Sequence, residues 1–363
     1  MKKKVLGLVL CAALIGTMLS GCGGSGSEEG TSSSSTETES TDAAESEESA
    51  ESTESAESTE SAESTESADS DVTIAYITPS TTTPFWNWVE AGVQDQADAN
   101  GWTLQVYDSA NDSATQLQNA QNAITAQVDG IVISPTDSAS CPAVLEEAEA
   151  AGIPVVICDI GTDEGNYLTL VSTPNYDGAY EVGKYLVEYM QENNLSGSIG
   201  EITVQLSRIN GQNRVAGFAD ALAEGGFEVN TILESSAFTM EEADSQTRNI
   251  VTANEDLVAI FANHDQATLG AVSAIQDLGL SDQVLICSFD GSPQIVDLLQ
   301  NGDVLVCGAQ QAKKMGRESV NALNSYFAGE EVPEEISVPT FLLTADNVEE
   351  YLDVIENETC GLE

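Results

Sequence analysis

The sequence predicts an α/β protein of two similarly built lobes, and three observations lead there. The body of the chain, residues 72–363, exceeds the size at which one hydrophobic core usually divides. Short apolar runs alternate along it with longer amphipathic segments, the pattern of a parallel sheet wrapped by helices. The alternation then restarts after about Asn175, so the same architecture is built twice.

In the first series the apolar runs 72–78, 104–108, 131–134 and 154–159 read as strands, and the amphipathic segments 85–100, 114–127 and 139–151 as helices. In the second, strands fall near 199–203, 228–233, 258–262, 285–289 and 305–309, with helices near 177–193, 215–224, 241–254, 266–278 and 312–327. Thr239 followed by Glu242 has the spacing of a capping box, which starts the helix there.

Ahead of the body, Lys2, Lys3 and Lys4 precede an apolar run over 5–19. That run is short of the roughly 20 apolar residues of a spanning helix and typical of a signal-peptide core. Leu19, Ser20, Gly21 and Cys22 close it in the pattern of a bacterial lipoprotein precursor. Residues 1–21 therefore read as a signal peptide, with Cys22 left to carry lipid on the outer face of the membrane. Residues 23–71 hold 16 Asp and Glu, no Lys or Arg, and a Glu-Ser-Thr/Glu-Ser-Ala repeat over 51–68. Such a segment cannot form a core. With Cys22 it reads as a disordered acidic tether over 22–71, reaching roughly 35 to 42 Å or more because its charges repel.

Of the chain's 61 acidic and 10 basic residues, the body keeps a large acidic excess. A nucleic-acid partner needs basic stripes, and none is present; an acidic body also discourages docking to anionic lipid, so the membrane is reached through the N-terminal lipid only. Five cysteines follow Cys22, namely Cys141, Cys158, Cys287, Cys307 and Cys360. An odd number leaves at least one thiol unpaired within a monomer, and Cys158, Cys287 and Cys307 sit in apolar runs as small buried hydrophobes. No CxxC or Cys/His cluster points to a metal, no cofactor motif is present, and the only histidine is His264. GxSxG, HExxH and P-loop motifs are missing, which argues against an enzyme.

In open α/β sheets ligands collect beyond the carboxyl ends of the strands. The residues there are Thr82, Thr83, Pro84, Phe85, Trp86 and Trp88; Asp159; Asn263, His264 and Asp265; Asp290 and Gly291; and Gln310 and Gln311. Aromatic rings suit the apolar faces of a sugar, while its hydroxyls, each donor and acceptor, suit carboxylates and amides.

The stretch from Pro79 to Trp86, Ser134-Pro135-Thr136-Asp137, Ile153-Pro154-Val155-Val156 leading to Asp159, Asn213-Arg214-Val215-Ala216-Gly217-Phe218, Phe261-Ala262-Asn263-His264-Asp265 and Phe289-Asp290-Gly291 occur in one order. In that order and spacing the chain resembles the ribose-type periplasmic sugar-binding proteins, over nearly all of 72–343. The resemblance implies two Rossmann-like lobes with parallel sheets and three hinge crossings, near Asn175, Gln310 and Phe341, the type I periplasmic binding fold. It divides the body into a first lobe of 72–174 plus 311–341 and a second of 175–310 plus 342–363. It implies capture of a sugar, most simply a monosaccharide, and delivery to the permease of an ABC importer by a monomeric receptor. A sensor presenting sugar to a membrane receptor kinase or chemoreceptor would use the same fold.

By position the resemblance puts Thr83, Phe85, Trp86 and Asp159 on the first lobe's side of the pocket and Arg214, Phe238, His264, Asp290 and Gln310 on the other, the last three to contribute hydrogen bonds. Arg214 offers paired hydrogen bonds, and replacing it or Asp159 by alanine is expected to weaken binding while the lobes stay folded. Two positions depart from the ribose binders. Ile160 stands where they carry an arginine after the first-lobe aspartate, and His264 replaces an amide. A hexose, another pentose or a deoxy sugar with an apolar corner facing Ile160 therefore suits this chain better than ribose.

Overall fold

The computed structural model describes residues 72–361; the expected signal peptide over 1–21, lipidation at Cys22 and acidic tether lie outside the described residues. The first series runs β1 (Thr73–Thr78), α1 (Pro84–Ala99), β2 (Thr103–Asp108), α2 (Ser113–Thr125), β3 (Gly130–Ile133), α3 (Cys141–Ala151), β4 (Val155–Cys158) and β5 (Thr169–Ser172). The second runs α4 (Asn175–Glu192), β6 (Ser198–Thr203), α5 (Ile209–Gly225), β7 (Val229–Glu234), α6 (Met240–Ala253), β8 (Leu257–Ala262), α7 (Asp265–Asp277), β9 (Leu285–Asp290), α8 (Pro293–Asn301) and β10 (Val306–Ala309). The chain then returns with α9 (Ala312–Phe327), β11 (Glu335–Ser337) and β12 (Phe341–Leu343).

The strands form two six-stranded sheets, ordered β11-β5-β4-β3-β1-β2 and β12-β10-β9-β8-β6-β7. Neighbours are parallel except β12, which lies antiparallel to β10. The central strands β1, β3 and β4 are buried along almost their whole length, as strands covered by helices on both faces must be. Four apolar clusters fill the space, two for each sheet, one of them built on Ile74, Tyr76, Val132 and Val156 and another on Phe218, Phe261 and Phe289.

Between sheets the chain passes three times, at 173–174, 310–311 and 338–340. Phe341 already pairs with Ala309 inside the second sheet, so the third passage precedes it. Gln311 Nε2 donates to Pro339 O across 2.6 Å and ties the second passage to the third. The helical turns of 348–359 pack Val348 and Ile355 into the second lobe's core. From there they touch the first lobe, where Arg317 on α9 pairs with Glu358 and donates to Asn357 O.

Two glycine contacts set the helix packing. A Cβ at Gly92 on α1 would collide with the backbone of Lys313 on α9, and one at Gly316 on α9 with Val89 O. The two helices therefore approach until their backbones touch, which seats the start of α1 against the hinge.

Several elements depart from the sequence-based expectation. The strands β5, β11 and β12 and the helix α8 were not predicted, because each is short and its pattern is incomplete without neighbours; β11, for example, reads Glu-Ile-Ser with two exposed residues. Helix α5 starts at Ile209, six residues before the expected 215. Its first turn, rich in Asn and Gly, is held from the other lobe, with Ile209 N–H donating to Ser138 Oγ over 3.1 Å. All five body cysteines are free, four of them buried and Cys360 half-buried.

Candidate functional site

The carboxyl ends of both sheets face one another across a cleft, and the cleft is closed. Arg208 Nε donates to Thr136 O at 2.9 Å, Asn210 Nδ2 to Asp159 Oδ2 at 3.0 Å, and Ser138 N–H to Ser207 O at 3.2 Å. The closed lobes surround a cavity of about 110 Å³. One water needs about 10 to 15 Å³, so the space equals roughly seven to eleven waters, close to the heavy-atom count of one sugar ring and too small for two.

All nine residues singled out in the sequence line this cavity. Thr83, Phe85 and Trp86 enter from the loop after β1 and the first turn of α1; Asp159 stands at the end of β4; Arg214 comes from α5, Phe238 from the loop after β7, His264 after β8, Asp290 at the end of β9 and Gln310 after β10. Asp159, Phe238 and Asp290 have φ of 69°, 55° and 88°. A left-handed backbone in a residue other than glycine is uncommon and clusters at sites where a side chain must be aimed. Here Asp159 and Asp290 turn their side chains into the cleft from strand ends, and Phe238 from the loop after β7.

Phe85 and Trp86 form an edge-on pair, centroids 5.0 Å apart, both also packed into the first lobe's core. They are at once wall and core. Across the cleft, Phe238 sits 5.4 Å from the ring of His264. Glu242 positions it. Thr239 Oγ1 accepts from Glu242 N–H at 3.2 Å, half of the expected capping box. The Glu242 carboxylate does not return to Thr239; it accepts instead from the N–H groups of Ser236, Ala237 and Phe238 at 2.9, 2.8 and 3.1 Å. Glu242→Ala is therefore expected to free the Phe238 loop, read as faster amide exchange at residues 236–238, while the melting temperature moves by no more than about 3 °C because the site is near the surface. Unchanged exchange would show that the loop holds its shape without the carboxylate.

The second lobe's polar floor is a network centred on Arg214. Its Nε donates to Asn175 Oδ1 at 2.7 Å, its Nη1 to Asn263 O at 2.6 Å and to Asp290 Oδ1 at 3.2 Å, and its guanidinium lies 4.2 Å from the Phe289 ring centroid. Asp290 Oδ1 also accepts from Gln310 Nε2 at 2.6 Å. His264 contributes differently from the expectation that it offers hydrogen bonds. Its Nδ1 accepts from Ala267 N–H as the cap of α7, and its Nε2 lies 2.7 Å from Ser235 Oγ. Burial, with Arg214 adding to it, lowers its pKa to about 3, so the ring is neutral, its Nε2–H donates to Ser235, and only the ring's surface is offered to the cavity.

Burial pushes the Asp159 carboxyl up to about 6 against the pull of Arg214, and pushes Asp265 well above the usual range with Asp290 beside it. Four buried atoms of this lining have no hydrogen-bond partner: Asp159 Oδ1, Asp265 Oδ2, Ser292 Oγ and Gln310 Oε1. Buried polar atoms are nearly always paired, so four together around one cavity mark a place for polar groups brought from outside.

Ile160 is a correction. It is fully buried in the first lobe's core and is not part of the cavity lining, because the left-handed turn at Asp159 sends the next side chain inward. No apolar corner of a ligand can face it. The lining also includes Arg208, Asn210, Asp265, Ser292 and Gln294, which were not chosen from the sequence. Asp265 and Ser292 follow strands and carried that signal. Arg208 and Asn210 lie at the start of α5, where the helix itself was placed too late.

Residues 74–331 match the family described as periplasmic binding protein domain. Among curated relatives, the ribose import binding protein of Escherichia coli is 29% identical over 264 residues, covering 72% of this chain and 86% of that protein. The D-apiose import binding protein of Actinobacillus succinogenes is 28% identical over 256 residues, covering 70% and 81%. Among solved structures, an ABC transporter solute binding protein from Bacillus halodurans with bound myo-inositol superposes with a TM-score of 0.71 at 25% identity, covering 78% of this chain and 98% of that one. A periplasmic solute binding protein of Actinobacillus succinogenes with bound D-allose gives a TM-score of 0.72 at 24% identity, covering 77% and 100%.

Proposed function

Because the chain belongs to the periplasmic binding protein domain family, we propose that it captures a monosaccharide between its closing lobes outside the cytoplasm and delivers it to an ABC importer. The observation that carries this reading is the set of four unpartnered polar atoms of Asp159, Asp265, Ser292 and Gln310 around a cavity of single-ring size, walled by Phe85, Trp86 and Phe238. Sugar hydroxyls both donate and accept, so they complete such a set, and the ring's apolar faces pack on the aromatics. The relatives named for ribose and D-apiose import support the same substrate class.

The nine lining residues chosen from the sequence act as the ligand contacts in this reading, with His264 serving through its ring surface. Contacts from both lobes exist together only in the closed state, so the sugar shifts the population toward closure. Cys22 carries the lipid, residues 23–71 tether the receptor to the membrane's outer face, and the receptor works as a monomer. Family members are substrate-binding transport proteins, and the carboxylates of the cleft here bind rather than cleave.

Thermal unfolding of the mature chain with D-ribose, D-allose, D-arabinose, D-apiose and myo-inositol tests the substrate class. A ligand at a hundredfold excess over its Kd stabilises by about 2.7 kcal/mol, and at least one of these is expected to do so. A shift with a nucleoside or amino acid and with none of the sugars would overturn the class. Mass spectrometry of the mature N-terminus is expected to find a lipidated Cys22; an unmodified residue there would remove the anchor.

A further inference from the structure

Arg208 is only 4% exposed, yet among the described residues it forms no ion pair. Arg214, two turns along the same helix, pairs with Asp290. Its guanidinium makes one hydrogen bond among the described residues, that of Arg208 Nε–H to Thr136 O. A guanidinium carries five N–H donors in a planar fork, so four remain, on a buried group that lines the cavity. A buried charge left without partners is costly. The plane of the fork is fixed from two sides, by the Phe238 ring 4.8 Å from its centre and by the Thr136 carbonyl of the opposite lobe.

The first lobe supplies no such donor of its own, since the residue after Asp159 is Ile160 and points into the core. What it supplies is an acceptor, the unpartnered Oδ1 of Asp159. Asp159 also holds Asn210, two residues beyond Arg208, so the start of α5 and the end of β4 meet across the cleft.

We propose that Arg208 is a specificity-determining ligand residue whose free N–H fork donates to two adjacent oxygens of the sugar ring, one belonging to the hydroxyl that donates to Asp159 Oδ1. The fork is aligned by a carbonyl on the other lobe, so it takes its reading position only on closure. The second lobe thus provides the charged donor that the first lobe lacks, and sugars are told apart by whether they present two neighbouring oxygens at that point. This rests on the sugar-receptor reading above.

The test is calorimetric titration of the mature chain, of Arg208→Met and of Arg208→Lys with D-ribose, D-allose, D-arabinose, D-apiose and myo-inositol. Methionine keeps the stem against Phe238 and removes every donor; lysine keeps the charge without the fork. Arg208→Met is expected to lose about ten- to hundredfold in affinity for the tightest of the five, as removal of a buried charged hydrogen-bonding group does, and to lose unequally across them, so that the ranking changes. Arg208→Lys is expected to recover only part of the loss and not the ranking.

A loss by one common factor for all five sugars would mean that Arg208 only latches the lobes, and would overturn the proposal, as would undiminished affinity in both variants. If the unaltered chain binds none of the five, the sugar reading fails and this one with it. If the unaltered chain binds and the ranking does not depend on Arg208, this proposal alone fails.

Discussion

Arg214→Ala is expected to lower the melting temperature of the ligand-free protein by on the order of 10 °C. The sequence alone suggests otherwise, since a charged residue in a solvated cleft can be removed without cost to the lobes. The structure places Arg214 beneath the cleft's polar floor, where its side chain is 3% exposed beside the 7% exposed carboxylate of Asp290. Alanine would remove the donors to Asn175 and Asn263 as well as to Asp290, and leave a buried carboxylate without its cation. Breaking a buried pair by removing one partner costs about 3 to 5 kcal/mol, and in a protein of this size each kcal/mol is worth roughly 2 to 4 °C.

Asp159→Ala provides the contrast. Its one side-chain partner, Asn210, lies on the other lobe and meets water when the cleft opens, so a change of no more than a few degrees is expected. Differential scanning calorimetry of the two variants without ligand decides the matter. Equal, small shifts would mean that Arg214 is a ligand contact with little structural role.

The second large effect concerns pH. Glu201, in the middle of β6, is fully buried; its Oε1 accepts from Asn263 Nδ2 at 3.1 Å and its Oε2 has no partner. Burial raises its pKa from the ordinary 4.5 to about 8. Above pH 4.5 the unfolded chain gives up this proton while the folded chain keeps it until about pH 8. The folded state then binds more protons, and stability falls as pH rises through that window. By pH 7 the loss is about 3 kcal/mol.

Glu201→Gln keeps an oxygen for Asn263 and cannot ionise. The variant is expected to match the unaltered protein near pH 4.5, to exceed it by about 3 kcal/mol at pH 7, and by about 4 kcal/mol at pH 8. Asp159, raised to about 6, adds a loss of the same sign between about pH 4 and 6. His264, lowered to about 3, acts the opposite way, its contribution falling away as pH drops from 6.5 toward 3. Both are present in each protein, so the difference isolates Glu201. Urea unfolding at pH 5 and pH 8 measures it, and a gap that does not widen with pH would show that Glu201 is already ionised in the folded state.

Much of the site was legible because strand ends are legible. Asp159, His264, Asp290 and Gln310 each follow an apolar run that can only be a buried strand, and in a parallel sheet the ends of such runs share one edge. Composition added that an acidic body without basic stripes is no partner for nucleic acid. Less legible was the direction of each side chain. Ile160 was expected at the cavity because the resemblance puts a ligand-facing arginine at that position; the positive φ of Asp159 reverses that, and no pattern in four or five residues announces a left-handed aspartate.

Arg208 and Asn210 went unchosen for a related reason. The first turn of α5 is a poor helix by its own composition, and hydrogen bonds that Ile209 and Asn210 donate to Ser138 and Asp159 on the other lobe hold it. Glu242 shows the same division, since its spacing from Thr239 marked a helix start while its carboxylate went to the Phe238 loop. By itself the sequence determined what depends on local periodicity and on the sum of charges, namely two wrapped parallel sheets, an acidic chain and the polar strand ends that face the cleft. The tertiary structure alone decided which way those ends turn, which arginine is locked into the floor and which stays unpaired, because those outcomes depend on contacts between residues far apart in the chain whose energies exist only once both lobes are folded and closed.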